Sequence, residues 1–324
     1  MTPTTLDPAL FGGCFYQTDT PGDVLRYALS PRLGRGVMTL RQVLPGVQLI
    51  FQSFHAKSCF CDTAALLPDM LEVNYCLSGR YECELPNRSF VYMGPQDMVI
   101  NPLLNRMRSS SFPLEEYSGV ALLLDLTELS QNDALFGFLD IGADALRRRY
   151  CLPGQCQIRR ADPTLRRLFE ELAAERPAQA LRLPVLNLLS QLCHGAAAPA
   201  GSRPYYPRSL IEAVKAARTA LLADPGGHTL AELAAENGLS RRALIDGFHG
   251  VYGETPYAYA RRYRIHCAAA RLETPGVSVS EAAAEAGYQN ASKFSSAFRA
   301  VMGVSPSAYR KTFCTFGAIP SLTE

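Results

Sequence analysis

Histidine is scarce in this chain. Only five occur in 324 residues, and His55 alone precedes the first helical stretch, the others being His194, His228, His249 and His266. A multi-histidine metal site therefore cannot be built in the N-terminal half. Also missing are a G-x-S-x-G elbow, a Walker glycine loop and a dinucleotide fingerprint, which removes the common hydrolase and nucleotide-dependent routes. The formal net charge is only +2. The opening run MTPTTLDPALFGG has neither a basic n-region nor an apolar h-region, so no secretory signal is read there. The most apolar run, Val120 to Leu124, is cut by Asp125 and is far too short to cross a bilayer. These absences lead us to expect a non-catalytic, cytoplasmic globular protein with no resident cofactor, no membrane partner and ten reduced thiols. The length allows two domains, each with its own core.

What the chain does contain is a repeat. HTLAELAAENGLSRRALIDGFHGVYGETPYAY, starting at His228, aligns with VSVSEAAAEAGYQNASKFSSAFRAVMGVSPSAYR, starting at Val277. Leu244, Phe248, Gly253, Pro256 and Tyr259 fall on Phe294, Phe298, Gly303, Pro306 and Tyr309 at one offset. Leu230, Ala234, Glu236 and Gly238 fall on Val279, Ala283, Glu285 and Gly287 at an offset one residue shorter, so the second copy has one extra residue in its turn. A small residue, a glycine four later and an apolar anchor six further meet the packing demands of a helix-turn-helix, where two short helices cross closely. Ser240 is positioned to cap one second helix, and Asn290 or Ser292 the other. Leu244, Phe248, Phe294 and Phe298 should be core. Between the copies, Pro256 to about Leu272 reads as a helix with Tyr259, Tyr263, Ile265 and Ala269 set among Arg261, Arg262, Arg264 and Arg271. Its length, roughly 25 Å, approaches the roughly 34 Å between successive major-groove faces once the flanking helices add their width. From Arg203 to Lys311 there are 14 basic residues against nine acids, a local excess suited to phosphate contact, although some of these arginines could equally solvate a helix face.

With those residues in place, the stretch from Pro207 to Arg310 resembles the C-terminal DNA-binding domain of AraC/XylS-type transcription regulators, which joins two helix-turn-helix units through one linking helix. The second unit carries the resemblance most closely, through Glu281 to Ala286, Gly287-Tyr288, Ser292, Phe294, Phe298-Arg299, Gly303 and Ser305-Pro306. The first departs from it with Asp246, an acid that repels phosphate, followed by Gly247, which costs roughly 1 kcal/mol against Ala within a helix. The resemblance implies double-stranded DNA and the transcription machinery as partners. The candidate DNA-contacting residues are Ser240, Arg241, Arg242 and Ile245 in the first unit and Asn290, Ala291, Ser292, Lys293, Ser296 and Arg299 in the second.

From Gly34 to Asp125 the pattern alternates as in half-buried antiparallel strands, with Leu71, Val73, Tyr75 and Leu77 set against Glu72, Asn74, Cys76 and Ser78. Turn signals recur at Pro45-Gly46, Ser78-Gly79, Pro86-Asn87 and Gly94-Pro95. Leu126 to Tyr150 and Asp162 to His194 turn helical, with apolar stripes at Leu165, Leu168, Phe169 and Leu172 and at Val185, Leu188, Leu189 and Leu192 that suit packing on the sheet or across a dimer. The expected fold class is α+β: an N-terminal antiparallel, cupin-like β-barrel with helices and an all-α C-terminal domain. The boundaries are 1–194 for a sensing and dimerisation domain, 195–206 for a linker and 207–311 for the DNA-binding domain. The cupin-like, dimerising and effector-sensing expectations also match the resemblance, whose N-terminal halves are often such barrels and in some cases bind a small effector. Tyr75 and Tyr92 are the candidate effector contacts, although aromatics in such strands are more often core residues. His55, Cys59 and Cys61 form the spacing H-x3-C-x-C, a weak metal signal, and Cys76 and Cys83 flank a hairpin that could bring two thiols together. A metal- or thiol-redox-sensing regulator is the alternative reading.

Overall fold

The computed structural model describes residues 13–18, 24–61, 69–105, 107–152, 156–174, 176–195, 205–224 and 228–316. The chain divides into two compact units, one running to Glu212 and taking in Gly250–Gly253, the other holding Ala213–His249 and Glu254 onward. Of the expected linker, residues 196–204 lie outside the described residues.

The first unit is rich in strands: β1 (Phe15–Thr18), β2 (Val24–Leu29), β3 (Gly34–Leu44), β4 (Val47–Ala56), β5 (Ser58–Cys61), β6 (Met70–Gly79), β7 (Tyr81–Glu84), β8 (Ser89–Met93), β9 (Asp97–Pro102), β10 (Ser109–Ser111), β11 (Tyr117–Asp125), β12 (Gln157–Arg160) and β13 (Tyr206–Pro207). They form an eight-stranded sheet, β1-β2-β3-β4-β11-β6-β9-β12, and a five-stranded sheet, β13-β8-β7-β10-β5. This differs from the closed barrel the turn spacing suggests. The strands of the small sheet, two to five residues long, pair with one another and with neither edge of the large sheet among the described residues. The two sheets instead bury a face each in a shared core containing Tyr27, Leu40, Ile50, Phe54, Cys76 and Leu123 from the large sheet and Cys83, Val91 and Met93 from the small one.

The other face of the large sheet is covered by helices: α1 (Leu126–Gln131), α2 (Asp133–Phe136), α3 (Ala143–Tyr150), α4 (Pro163–Ala173) and α5 (Ala178–His194). Asp125 and Asp162 cap α1 and α4 by accepting two backbone N–H bonds each. Both apolar stripes read from the sequence are buried here on the sheet, and the Phe169 ring lies flat on Tyr75 at 4.7 Å. Strand β6 is therefore covered on both sides, not half-buried. Leu71, Val73 and Tyr75 meet the helices, while its polar positions face the second sheet.

The second unit is helical. Its elements are α6 (Arg208–Ala223, the first turn belonging to the first unit), α7 (Leu230–Glu236), α8 (Arg241–Tyr252), α9 (Pro256–Leu272), α10 (Val279–Glu285), α11 (Ala291–Met302) and α12 (Pro306–Phe316). The repeat is physical as well as textual. Thr229 and Ser278 each close a capping box with the glutamate three residues on. Gly238 and Gly287 take φ of 65° and 78° at the turns, a conformation costly to a side chain. Phe248 meets Tyr259 edge-on at 5.5 Å and 74°, and Phe298 meets Tyr309 at 5.6 Å and 72°. Leu244, Phe248, Phe294 and Phe298 are fully buried and Ala234 and Ala283 nearly so, as the close helix crossing requires. Tyr263 does not join this core: it is 41% exposed.

Candidate nucleic-acid interface

Helices α8 and α11 occupy the second position of each helix-turn-helix. Each begins with a polar side chain that folds back on the helix. Ser240 Oγ accepts the Ala243 N–H at 3.1 Å, and Asn290 Oδ1 accepts those of Ser292 and Lys293 at 2.9 and 3.0 Å. Asn290, not Ser292, is thus the cap, and the extra residue of the second turn, Gln289, brings it into register with Ser240. Beyond the caps, Arg241 and Arg242 on α8 and Ala291, Ser292, Lys293, Ser296 and Arg299 on α11 are exposed, and Ile245 is partly so. Leu244, Phe248, Phe294 and Phe298 hold the opposite sides of the two helices in the core. Gly247 is also on the buried side, away from the exposed face.

Charge is distributed unevenly over these surfaces. Arg241, Lys293 and Arg299 make no ion pair among the described residues, leaving their cations to solvent or an anion. Arg242 is paired with Asp246 at 3.4 Å. On α9, three of the four arginines do structural work. Arg262 binds Glu254 at 2.8 Å, Arg271 grips both carboxylate oxygens of Glu285 at 2.7 and 2.9 Å, and Arg264 lies over the Tyr288 ring at 6.0 Å. Only Arg261 remains exposed and unpaired. The linking helix thus supplies fewer free cations than its sequence suggests, because helix packing brought glutamates from neighbouring elements against it.

The N-terminal candidates are dispersed. Tyr75 stacks under Phe169 on the helix-covered face, and Tyr92 points out of the small sheet with its hydroxyl donating to Glu82 at 2.5 Å. Neither lines the space between the sheets. His55 is exposed whereas Cys59 is buried beside Ser110 Oγ, 3.6 Å away, so these two do not converge; the side chain of Cys61 lies outside the described residues. Among the described residues no three His, Cys, Asp or Glu side chains are placed to hold a metal. Cys76 and Cys83 are free and buried, and burial pushes the first thiol up to about 12 and the second well above its usual range. Such thiols form little thiolate and react slowly. Glu72, which the alternation assigned to the solvent side, faces the space between the sheets. It was legible only once both faces of β6 were known to be covered. No helix among the described residues is long and apolar enough to cross a membrane.

Residues 233–312 match the family described as a helix-turn-helix domain. The chain is 33% identical over 141 residues to an AraC-like transcription regulator of Streptomyces antibioticus, covering 43% of this chain and 45% of that one. It is 32% identical over 149 residues to another from Streptomyces lividans, covering 46% and 47%. The chain thus spans about half the length of these curated relatives. Among solved structures, the DNA-binding domain of AdpA in complex with a target DNA is similar at 30% identity, over 33% of this chain and 95% of that one, with a TM-score of 0.29. The repeated helix pairs of the second unit are a helix-turn-helix domain of the AraC type.

Proposed function

We propose that this chain is a sequence-specific DNA-binding transcription regulator that places α8 and α11 in successive major-groove segments and responds to a small effector through its N-terminal unit. The observation that carries the proposal is the pair of equivalent helices, each opened by a polar cap and presenting exposed cationic or hydroxyl side chains on the side away from the core. Asn290, Ser292, Lys293, Ser296 and Arg299 form the main reading face, with Ala291 at its start. Ser240, Arg241, Arg242 and Ile245 form the weaker one. The working boundaries are 1–194 for sensing and dimerisation, 195–206 for the linker and 207–311 for DNA binding. The two-sheet core with helices on one side supports a cupin-like reading of the sensor. A homodimer acting with the transcription machinery in the cytoplasm completes the picture, and its mechanism is binding, not catalysis. Thiol chemistry draws no support from buried cysteines with raised pKa values.

The test uses operator DNA selected from genomic fragments. Lys293→Ala should cost about 1–3 kcal/mol on the cognate site and relax preference at one position if Lys293 touches a base. If it touches phosphate, the loss should be the same on every sequence and the salt slope lower by about one. A folded variant with unchanged affinity, specificity and salt slope would remove α11 from the groove.

A further inference from the structure

Two arginines of the first unit converge on one uncharged acceptor. Arg160 closes strand β12 and Arg166 ends the first turn of α4, and both donate to Gln96 Oε1, at 2.5 and 3.2 Å. Two guanidinium groups thus meet at a single oxygen. Neither makes an ion pair among the described residues. Asp162, between them in sequence, is spent on the cap of α4, accepting the N–H groups of Thr164 and Leu165 at 2.9 and 3.0 Å. Asp97, next to Gln96, is buried with Oδ2 accepting the Gly94 N–H at 2.9 Å. Glu170, one turn beyond Arg166, is exposed and pairs with neither arginine. Elsewhere in the unit the same arrangement is built on a carboxylate: Arg108 and Arg208 both meet Glu84 Oε1, at 3.6 and 3.3 Å. At Gln96 the two cations are present and the negative charge is not.

The acceptor is held there by its own backbone. Gln96 takes φ of 69°, a region that disfavours any side chain, and its N–H donates to the Cys76 carbonyl while its carbonyl accepts the Ala161 N–H, both at 2.9 Å. The turn before β9 is therefore tied to β6 on one side and to the β12–α4 connection on the other. Gln96 and Arg166 are partly buried and Arg160 is exposed, so solvent reaches all three. An amide oxygen carries only a partial charge, and two guanidinium groups this close repel one another unless an anion joins them. The Gln96 amide nitrogen makes no hydrogen bond among the described residues and can turn toward such an anion as a further donor. Two forks and an amide suit a tetrahedral dianion, whereas one fork already satisfies a carboxylate. We infer that Gln96, Arg160 and Arg166 bind the phosphate group of a small phosphate monoester. The site lies at the β12 edge of the large sheet and stands whether or not the unit also takes an effector in its interior.

The test is calorimetric titration and thermal unfolding of the full chain with phenyl phosphate, benzoate and benzenesulfonate at constant ionic strength. Saturable uptake of phenyl phosphate is expected, weakened at least about tenfold by Arg160→Gln and by Arg166→Gln, the loss that follows when a charged hydrogen-bond partner is removed. Gln96→Glu supplies the missing charge from within. It should abolish the uptake and raise the melting temperature of the ligand-free protein, as phenyl phosphate does for the unaltered chain. That variant decides the matter even if an arginine variant fails to fold. No uptake by folded protein, or a Gln96→Glu variant that still takes up phenyl phosphate, overturns the inference. So does uptake that survives both arginine substitutions, because the anion then sits elsewhere. Benzoate or benzenesulfonate bound as tightly as phenyl phosphate overturns the phosphate class. A lower salt slope of DNA binding in the two arginine variants would give the site to the DNA backbone and overturn the small-molecule assignment.

Discussion

On α8 the carboxylate of Asp246 lies 3.4 Å from Nε of Arg242, one helical turn earlier. The equivalent positions on α11 are Ser292 and Ser296, so the two helices, alike in core and caps, present different electrostatic faces. In the first helix-turn-helix an acid occupies the exposed side of the second helix and holds one of its two leading cations. Asp246→Asn should therefore tighten binding on all DNA sequences and steepen the salt slope by about one. Ser296→Asp should do the reverse. Fluorescence anisotropy at two salt concentrations reads both, and an unchanged slope for Asp246→Asn would show that α8 does not face phosphate.

The caps give a second expectation. Asn290 satisfies two backbone N–H groups of α11, whereas Ser292, the second residue of the helix, is exposed. Asn290→Ala should lower stability by about 1 kcal/mol and Ser292→Ala by roughly half that or less. Urea unfolding monitored by far-UV circular dichroism separates them; equal losses would contradict the assignment of the cap.

How much of this was legible in the sequence varies with the physics of each part. The helical half was readable because its signals are local: Ala234 and Gly238, Ala283 and Gly287, and the Ser240 and Asn290 caps act within a turn or two of themselves. The start of α9 follows from Thr255-Pro256. What remained hidden depended on distant neighbours. Nothing near Arg271 in sequence announces Glu285, and Tyr263 carries an apolar ring at a position the packing leaves exposed. In the N-terminal half the alternation of β6 marked a strand, but it could not tell solvent from a second sheet. Glu72 and Asn74 were therefore read as outward-facing. Strand β12, QIRR, is too short and too polar to announce itself, and it pairs at an edge beside β9.

Because the two aromatic pairs are built alike, Phe248→Ala and Phe298→Ala should each cost roughly 3–5 kcal/mol, the loss falling on the helical unit. Differential scanning calorimetry should show the helical transition moving down while a transition belonging to the sheet-rich unit stays in place. A shift of both together would mean that the units unfold as one.

Glu72 gives a pH dependence of definite sign. In the unfolded chain its carboxyl gives up the proton near 4.5, whereas in the folded protein it keeps it to about 7. The stability associated with the neutral form is thus fully present below 4.5 and lost as pH rises through 7. Glu72→Gln should match the unaltered protein near pH 4.5 and exceed it by roughly 1–3 kcal/mol at pH 8. Denaturation curves across that range check it. A variant that is less stable at pH 8 would show that Glu72 has a native partner.

The central claim is that α8 and α11 enter neighbouring grooves on one face of DNA. Hydroxyl-radical footprinting of the full chain on its selected operator tests this most directly. The account predicts two protected segments about 10 base pairs apart per bound chain, with Lys293→Ala weakening the one contacted by α11. A single protected segment, or two that Lys293→Ala leaves equally strong, would contradict it.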